Sequence, residues 1–188
     1  MPPAVPHHPP RTITRVITDV EAFLRWFGGV NGRTLRDIGG LPAAALSWRP
    51  PHGEGEDAWT VGELVDHIAA ARSFFVNTVA GGDWVMREVS QPADIARCTG
   101  LLETSFAAIA TTLREAGDGA LGGRCPSLEN PEVTLAGWRL LMMMAEHEVH
   151  HRSQIMTYAG LNRWPVAQIF NRSYEEVVRL TDRGPAGG

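Results

Sequence analysis

Residues 134–160 read TLAGWRLLMMMAEHEVHHRSQIMTYAG, and this stretch decides the fold. It reads as one helix from a Thr134 N-cap to a stop at Gly160, roughly 25 residues and ~37 Å at 1.5 Å per residue. Apolar residues cover much of its surface, as a helix inside a core requires. Within it, His147-Glu148-Val149-His150-His151 matches H-E-x-x-H, the pattern in which two histidines hold zinc and the glutamate acts as general base.

Helical geometry sorts these histidines. His147 and His151 are separated by ~400° of rotation, so they project from one face a turn apart. Leu140, Met144, Ile155 and Tyr158 continue the same stripe, which places the pair in an apolar, partly buried strip. His150 lies ~60° off on the other side and faces solvent or a subunit partner. A protease of this signature needs a third ligand downstream, yet position 154 is Gln and position 157 is Thr. Glu175 and Glu176 remain as formal substitutes, but the chain offers no convincing strand to hold an extended peptide. Peptide hydrolysis is therefore the weaker reading.

Outward from this helix, helical periodicity recurs and strand-like alternation is almost absent, so the expected class is all-α. The first helix is expected over about Thr14–Val30, with Val16, Val20, Phe23, Leu24 and Phe27 inward and Gly28-Gly29 loosening its end. LPAAAL and SWRPPHGEGEDAW read as loop. Thr60-Val61-Gly62-Glu63 is a capping box that opens a second helix lasting to about Ala80. A third runs from Pro92 or Ala93 to about Ala116, and GDGALGGRCPSLENPEV follows as loop. A short last helix is expected over Pro165–Leu180, with proline in its first turn. Four long helices and a short one make a four-helix bundle the natural architecture.

Chain length and composition bound the function. With 188 residues the chain suits one domain with a full core. Residues 1–10 read as a disordered Pro-rich lead, 11–182 as the helical domain and 183–188 as a flexible tail. The balance of 44% hydrophobic and 20% charged residues with net charge −4 is that of a globular protein lacking the basic excess of a nucleic-acid binder. The N-terminus has no apolar secretory region. LLMMMA (140–145) falls far below the ~20 residues needed to span a bilayer, so no membrane partner and a cytoplasmic location are expected. Cys98 and Cys125 have neither disulfide-framework nor zinc-site spacing and read as buried small apolar residues.

His67 lies beside the apolar stripe of the second helix. Alone it reads as a hydrogen-bonded core histidine, and the cluster on the fourth helix as a polar rim. Together with the His147/His151 pair it makes three nitrogen ligands and an open fourth position, the arrangement of catalytic zinc. His7, His8 and His52 lie in Pro-rich segments and offer no comparable scaffold.

The pairing of WTVGELVDHIAAA with EHEVHHRSQIMTYAGLNRWP resembles the DinB/YfiT-like family of metalloenzymes, a helical family unrelated to the DNA polymerase of similar name. The matching motifs bracket residues 48–165. The resemblance implies a four-helix bundle, frequent homodimers, and His67, His147 and His151 as ligands to a divalent ion such as zinc or nickel. It also implies metal-dependent chemistry of the thiol S-transferase kind on a low-molecular-weight thiol and an electrophile. A non-catalytic metal-binding or stress-response interaction protein on the same scaffold is the alternative. Ser153 stands where the family commonly has glycine. Arg152 and Gln154 are candidates to support the ligands, and Glu148 to serve as a base or orient one.

Overall fold

The computed structural model describes residues 17, 19–51, 58–168 and 172–181, with nothing said of the side chains of Tyr174 and Thr181. The expected lead, the tail and His7, His8 and His52 lie outside these residues. The helices are α1 (Val20–Gly39), α2 (Val61–Val79), α3 (Ile95–Ala116), the single turn α4 (Gly119–Gly122), α5 (Gly137–Leu161) and α6 (Tyr174–Thr181). Four long helices form the bundle, with α2 packed against both α3 and α5, and α1 against α3.

Each start has a local cause. Asp19 caps α1 by accepting from the Ala22 amide at 2.6 Å, and Asp94 caps α3 through the Arg97 amide at 2.6 Å. The Thr60–Glu63 capping box is present in both directions, at 3.1 and 2.7 Å. Helix α1 does not stop at Gly28-Gly29. Phe27, Val30, Thr34 and Ile38 keep facing the interior, and that burial outweighs the ~1 kcal/mol propensity cost of each glycine.

Helix α5 starts two residues later than a Thr134 N-cap suggests, with Ala136 at its N-cap. Thr134–Ala136 instead form a strand, β2, paired antiparallel with β1 (Arg124–Pro126), with Cys125 opposite Leu135. The expected all-α class thus carries one small hairpin. Gly137 begins α5 because a Cβ there would sit 2.0 Å from the Ala120 carbonyl oxygen, a close approach only glycine permits. The last helix begins at Tyr174 rather than Pro165. Ser173 and Glu176 cap it, at 3.2 and 2.6 Å, a second S-x-x-E box.

Two apolar clusters fill the bundle. One gathers Phe23, Phe27, Val76, Ile109, Leu113, Leu140 and Met144; the other gathers Ile38, Leu64, Ile68, Leu102, Ile155 and Tyr158. Between them every long helix contributes a polar residue. Asn31 and Thr34 come from α1, Arg72 from α2, Ser105 from α3 and Glu148 from α5. Arg72 and Glu148 are each 1% exposed, and all five guanidinium N–H groups have acceptors. Nε donates to Glu148 Oε2 at 2.9 Å and Nη2 to Glu148 Oε1 at 2.9 Å. The remaining donors reach Asn31 Oδ1 at 2.7 Å, the Leu102 carbonyl at 2.6 Å and Ser105 Oγ at 3.0 Å. Full satisfaction is what makes a buried charge pair tolerable.

Candidate metal centre

His67 comes from the second turn of α2, and His147 and His151 from consecutive turns of α5. Packing of α2 against α5 closes the eighty-residue gap between them. The Nε2 atoms of His67 and His147 are 2.9 Å apart, and those of His151 and His147 are 3.2 Å apart. All three rings are half-buried, and one ligand atom from each lies within 4.8 Å of the others.

This convergence fits a cation better than mutual hydrogen bonding. A neutral imidazole nitrogen carries either one hydrogen or one lone pair in the ring plane. His147 Nε2 faces two other ring nitrogens and can satisfy only one of them. Four ligands around zinc at 2.0–2.1 Å stand about 3.3 Å apart in a tetrahedron, close to the two separations that His147 Nε2 makes. The donor set also suits a divalent ion of the zinc or nickel kind.

The surroundings keep the rings neutral. Burial, with the neighbouring His151 charge, lowers the pKa of both His67 and His147 to about 4. Burial also lowers that of His151, against the opposing pull of its hydrogen bond to Gln154. Neutral imidazole is the ligating form. Trp59 packs edge-on to His67 with centroids 4.4 Å apart and stacks on His151 at 6.4 Å, while Phe75 flanks His147 at 6.2 Å. The centre therefore has aromatic walls, and Trp59 remains 37% exposed at its edge.

Neighbouring groups are already engaged. Asp66 is buried, and burial pushes its pKa up. The Arg87 guanidinium and the Ser90 amide outweigh that effect and hold it below the ordinary value. This ties the segment after α2 back onto the turn that carries His67. Gln154 Oε1 lies 3.0 Å from His151 Nδ1, and Gln154 Nε2 donates to the Tyr158 hydroxyl at 2.7 Å.

Of the residues singled out in the sequence, His67, His147 and His151 come together, and His150 is exposed beside His151. Glu148 points its carboxylate at Arg72 and at Thr34 Oγ1, 2.7 Å away. Arg152 is buried and lies 3.6 Å from Asp37 Oδ2. Sequence reasoning missed Trp59 and Arg72. Arg72 carried a signal, a charge four residues after Ile68 on the buried face of α2. Trp59 had only its place beside the capping box.

Among known proteins, the model of the DinB superfamily matches residues 30–155. A DinB-like protein from Bacillus cereus ATCC 10987 has a similar structure, with TM-score 0.65 and 18% identity over 81% of this chain and 98% of its own. YfiT from Bacillus subtilis, described as a probable metal-dependent hydrolase with an unusual four-helix bundle topology, has TM-score 0.58 and 15% identity over 85% and 95%. A mycothiol-dependent maleylpyruvate isomerase has TM-score 0.51 and 17% identity over 72% and 60%. Comparison with curated proteins by sequence gives no match. Among the described residues, no helix is long and apolar enough to cross a membrane.

Proposed function

We propose, on the premise that this chain belongs to the DinB superfamily, that it is a divalent-metal-dependent enzyme activating a low-molecular-weight thiol for attack on an electrophile. The observation that carries this reading is the convergence of His67, His147 and His151 between aromatic walls. Three nitrogen ligands leave one position for a small molecule. A divalent ion held by these three histidines, zinc or nickel, would supply positive charge that favours the thiolate form of a small thiol near neutral pH.

The chain's own residues supply the rest. His67, His147 and His151 are held neutral and aimed inward. Trp59 and Phe75 place aromatic rings against His67 and His147. Glu148 is no general base here, because both its oxygens accept from Arg72. A thiol lowered in pKa by a cation needs no such base, whereas water activated for hydrolysis commonly uses one. Hydrolysis is the second reading, favoured by the likeness to YfiT. The likeness to a mycothiol-dependent isomerase supports the thiol. A homodimer is the assembly proposed with it.

The test starts with metal content of protein purified without a His tag. Near-stoichiometric zinc or nickel is expected in the wild type, and loss of it in His147→Ala. Metallated protein is then offered bacillithiol, mycothiol, glutathione and cysteine with a generic electrophile. Metal-dependent consumption of at least one thiol supports the enzyme. Bound metal with no consumption of any thiol points to a non-catalytic metal-binding or stress-response interaction protein.

A further inference from the structure

Gln154 and Tyr158 stand three and seven residues after His151 on one face of α5, and a hydrogen-bonded chain joins them. The distances are 3.0 Å from His151 Nδ1 to Gln154 Oε1 and 2.7 Å from Gln154 Nε2 to the Tyr158 hydroxyl. By contrast, His67 Nδ1 is buried with no hydrogen-bond partner among the described residues. The outer nitrogen of His151 therefore has a support that His67 lacks.

The orientation of the Gln154 amide selects the tautomer of His151. With Oε1 toward the ring, the imidazole hydrogen sits on Nδ1 and Nε2 offers its lone pair to a cation. With the amide reversed, its NH2 donates to Nδ1 and the neutral ring carries its hydrogen on Nε2. That hydrogen points at His147 Nε2 and blocks ligation. In the orientation seen, the Tyr158 hydroxyl accepts from the amide NH2, which leaves Oε1 facing the ring. Tyr158 is 7% exposed and held edge-on against Trp48 at 5.1 Å, and Trp48 in turn meets Trp164 at 6.0 Å. The hydroxyl is thereby fixed one helical turn from Gln154.

We propose that Gln154, anchored by Tyr158, is a positioning residue that sets the cation-binding tautomer of His151. This rests on the metal-centre reading above. A histidine ligand whose other ring nitrogen loses its partner typically binds metal about 10–100-fold more weakly.

The test measures zinc affinity of the full chain by competition with a chromophoric chelator, the visible spectrum of the cobalt(II)-loaded protein, and metal-free melting. Gln154→Met should weaken zinc binding about 10–100-fold and change the cobalt spectrum. Gln154→Glu keeps an acceptor for Nδ1–H and should stay within a few-fold of wild type. Tyr158→Phe should lose less than Gln154→Met, and the double variant should be no weaker than Gln154→Met alone, because the tyrosine acts through the glutamine. Metal-free melting separates these effects from a folding defect. If Gln154→Met does not fold, the Gln154→Glu and Tyr158→Phe affinities decide the matter. Wild-type affinity with an unchanged spectrum in Gln154→Met, equal weakening by Gln154→Glu, or additive losses in the double variant overturns the proposal. A wild type that takes up neither zinc nor cobalt overturns the metal-centre reading beneath it as well.

Discussion

Arg72 and Glu148 face each other through two hydrogen bonds of 2.9 Å, at the level where the two apolar clusters of the bundle meet. The glutamate of the H-E-x-x-H match is thus a structural member of a layer joining all four long helices. Its neighbours in sequence, His147 and His151, take their direction from the helix face that this pair holds in place.

Removing one partner of this pair should be costly. Glu148→Ala leaves the Arg72 charge buried and is expected to destabilise the fold by about 3–5 kcal/mol. Urea unfolding at pH 7.5 measures it. A variant as stable as wild type but inactive would instead return Glu148 to the role of base.

Metal-free protein should lose stability in acid. Burial lowers the pKa of His67 and His147 from 6.5 to about 4, so the unfolded chain binds protons at these sites first. Their contribution is fully present above pH 6.5 and declines as the pH falls from 6.5 to 4. Urea midpoints at pH 7.5, 6, 5 and 4 should trace that decline, and the slope should be shallower in His67→Gln.

Binding of a cation to the folded state alone raises stability by mass action. Free zinc at a hundred times its dissociation constant adds about 2.7 kcal/mol, visible as a higher melting temperature reversed by a chelator. His67→Ala, His147→Ala and His151→Ala should each abolish most of that rise. An equal rise in all three would place the ion elsewhere.

Gly137 is the tightest backbone approach at the start of α5. Adding a methyl group there forces α4 and α5 apart, because the Cβ would lie 2.0 Å from the Ala120 oxygen. Gly137→Ala is expected to cost about 1–3 kcal/mol. Gly32→Ala on α1, where a Cβ meets nothing within 4 Å, is the control and should be neutral or stabilising.

The sequence by itself determined the helices whose signals are local. The Thr60–Glu63 box marked α2 to the residue, and the 3.6-residue recurrence of apolar positions placed α3 and the body of α5. It also put His147 and His151 on one face, since two positions four apart on a helix must share it. Boundaries set by packing were not legible. α1 runs through Gly28-Gly29 because its far end is buried, and Thr134 joins a strand because Arg124–Pro126 lies opposite it. Only the tertiary structure decided what the histidines do together. Contact between α2 and α5 carries His67 across eighty residues to within 2.9 Å of His147, and the same packing gives Glu148 to Arg72. Spacing along one helix fixes direction, whereas a site of three ligands depends on how two helices meet.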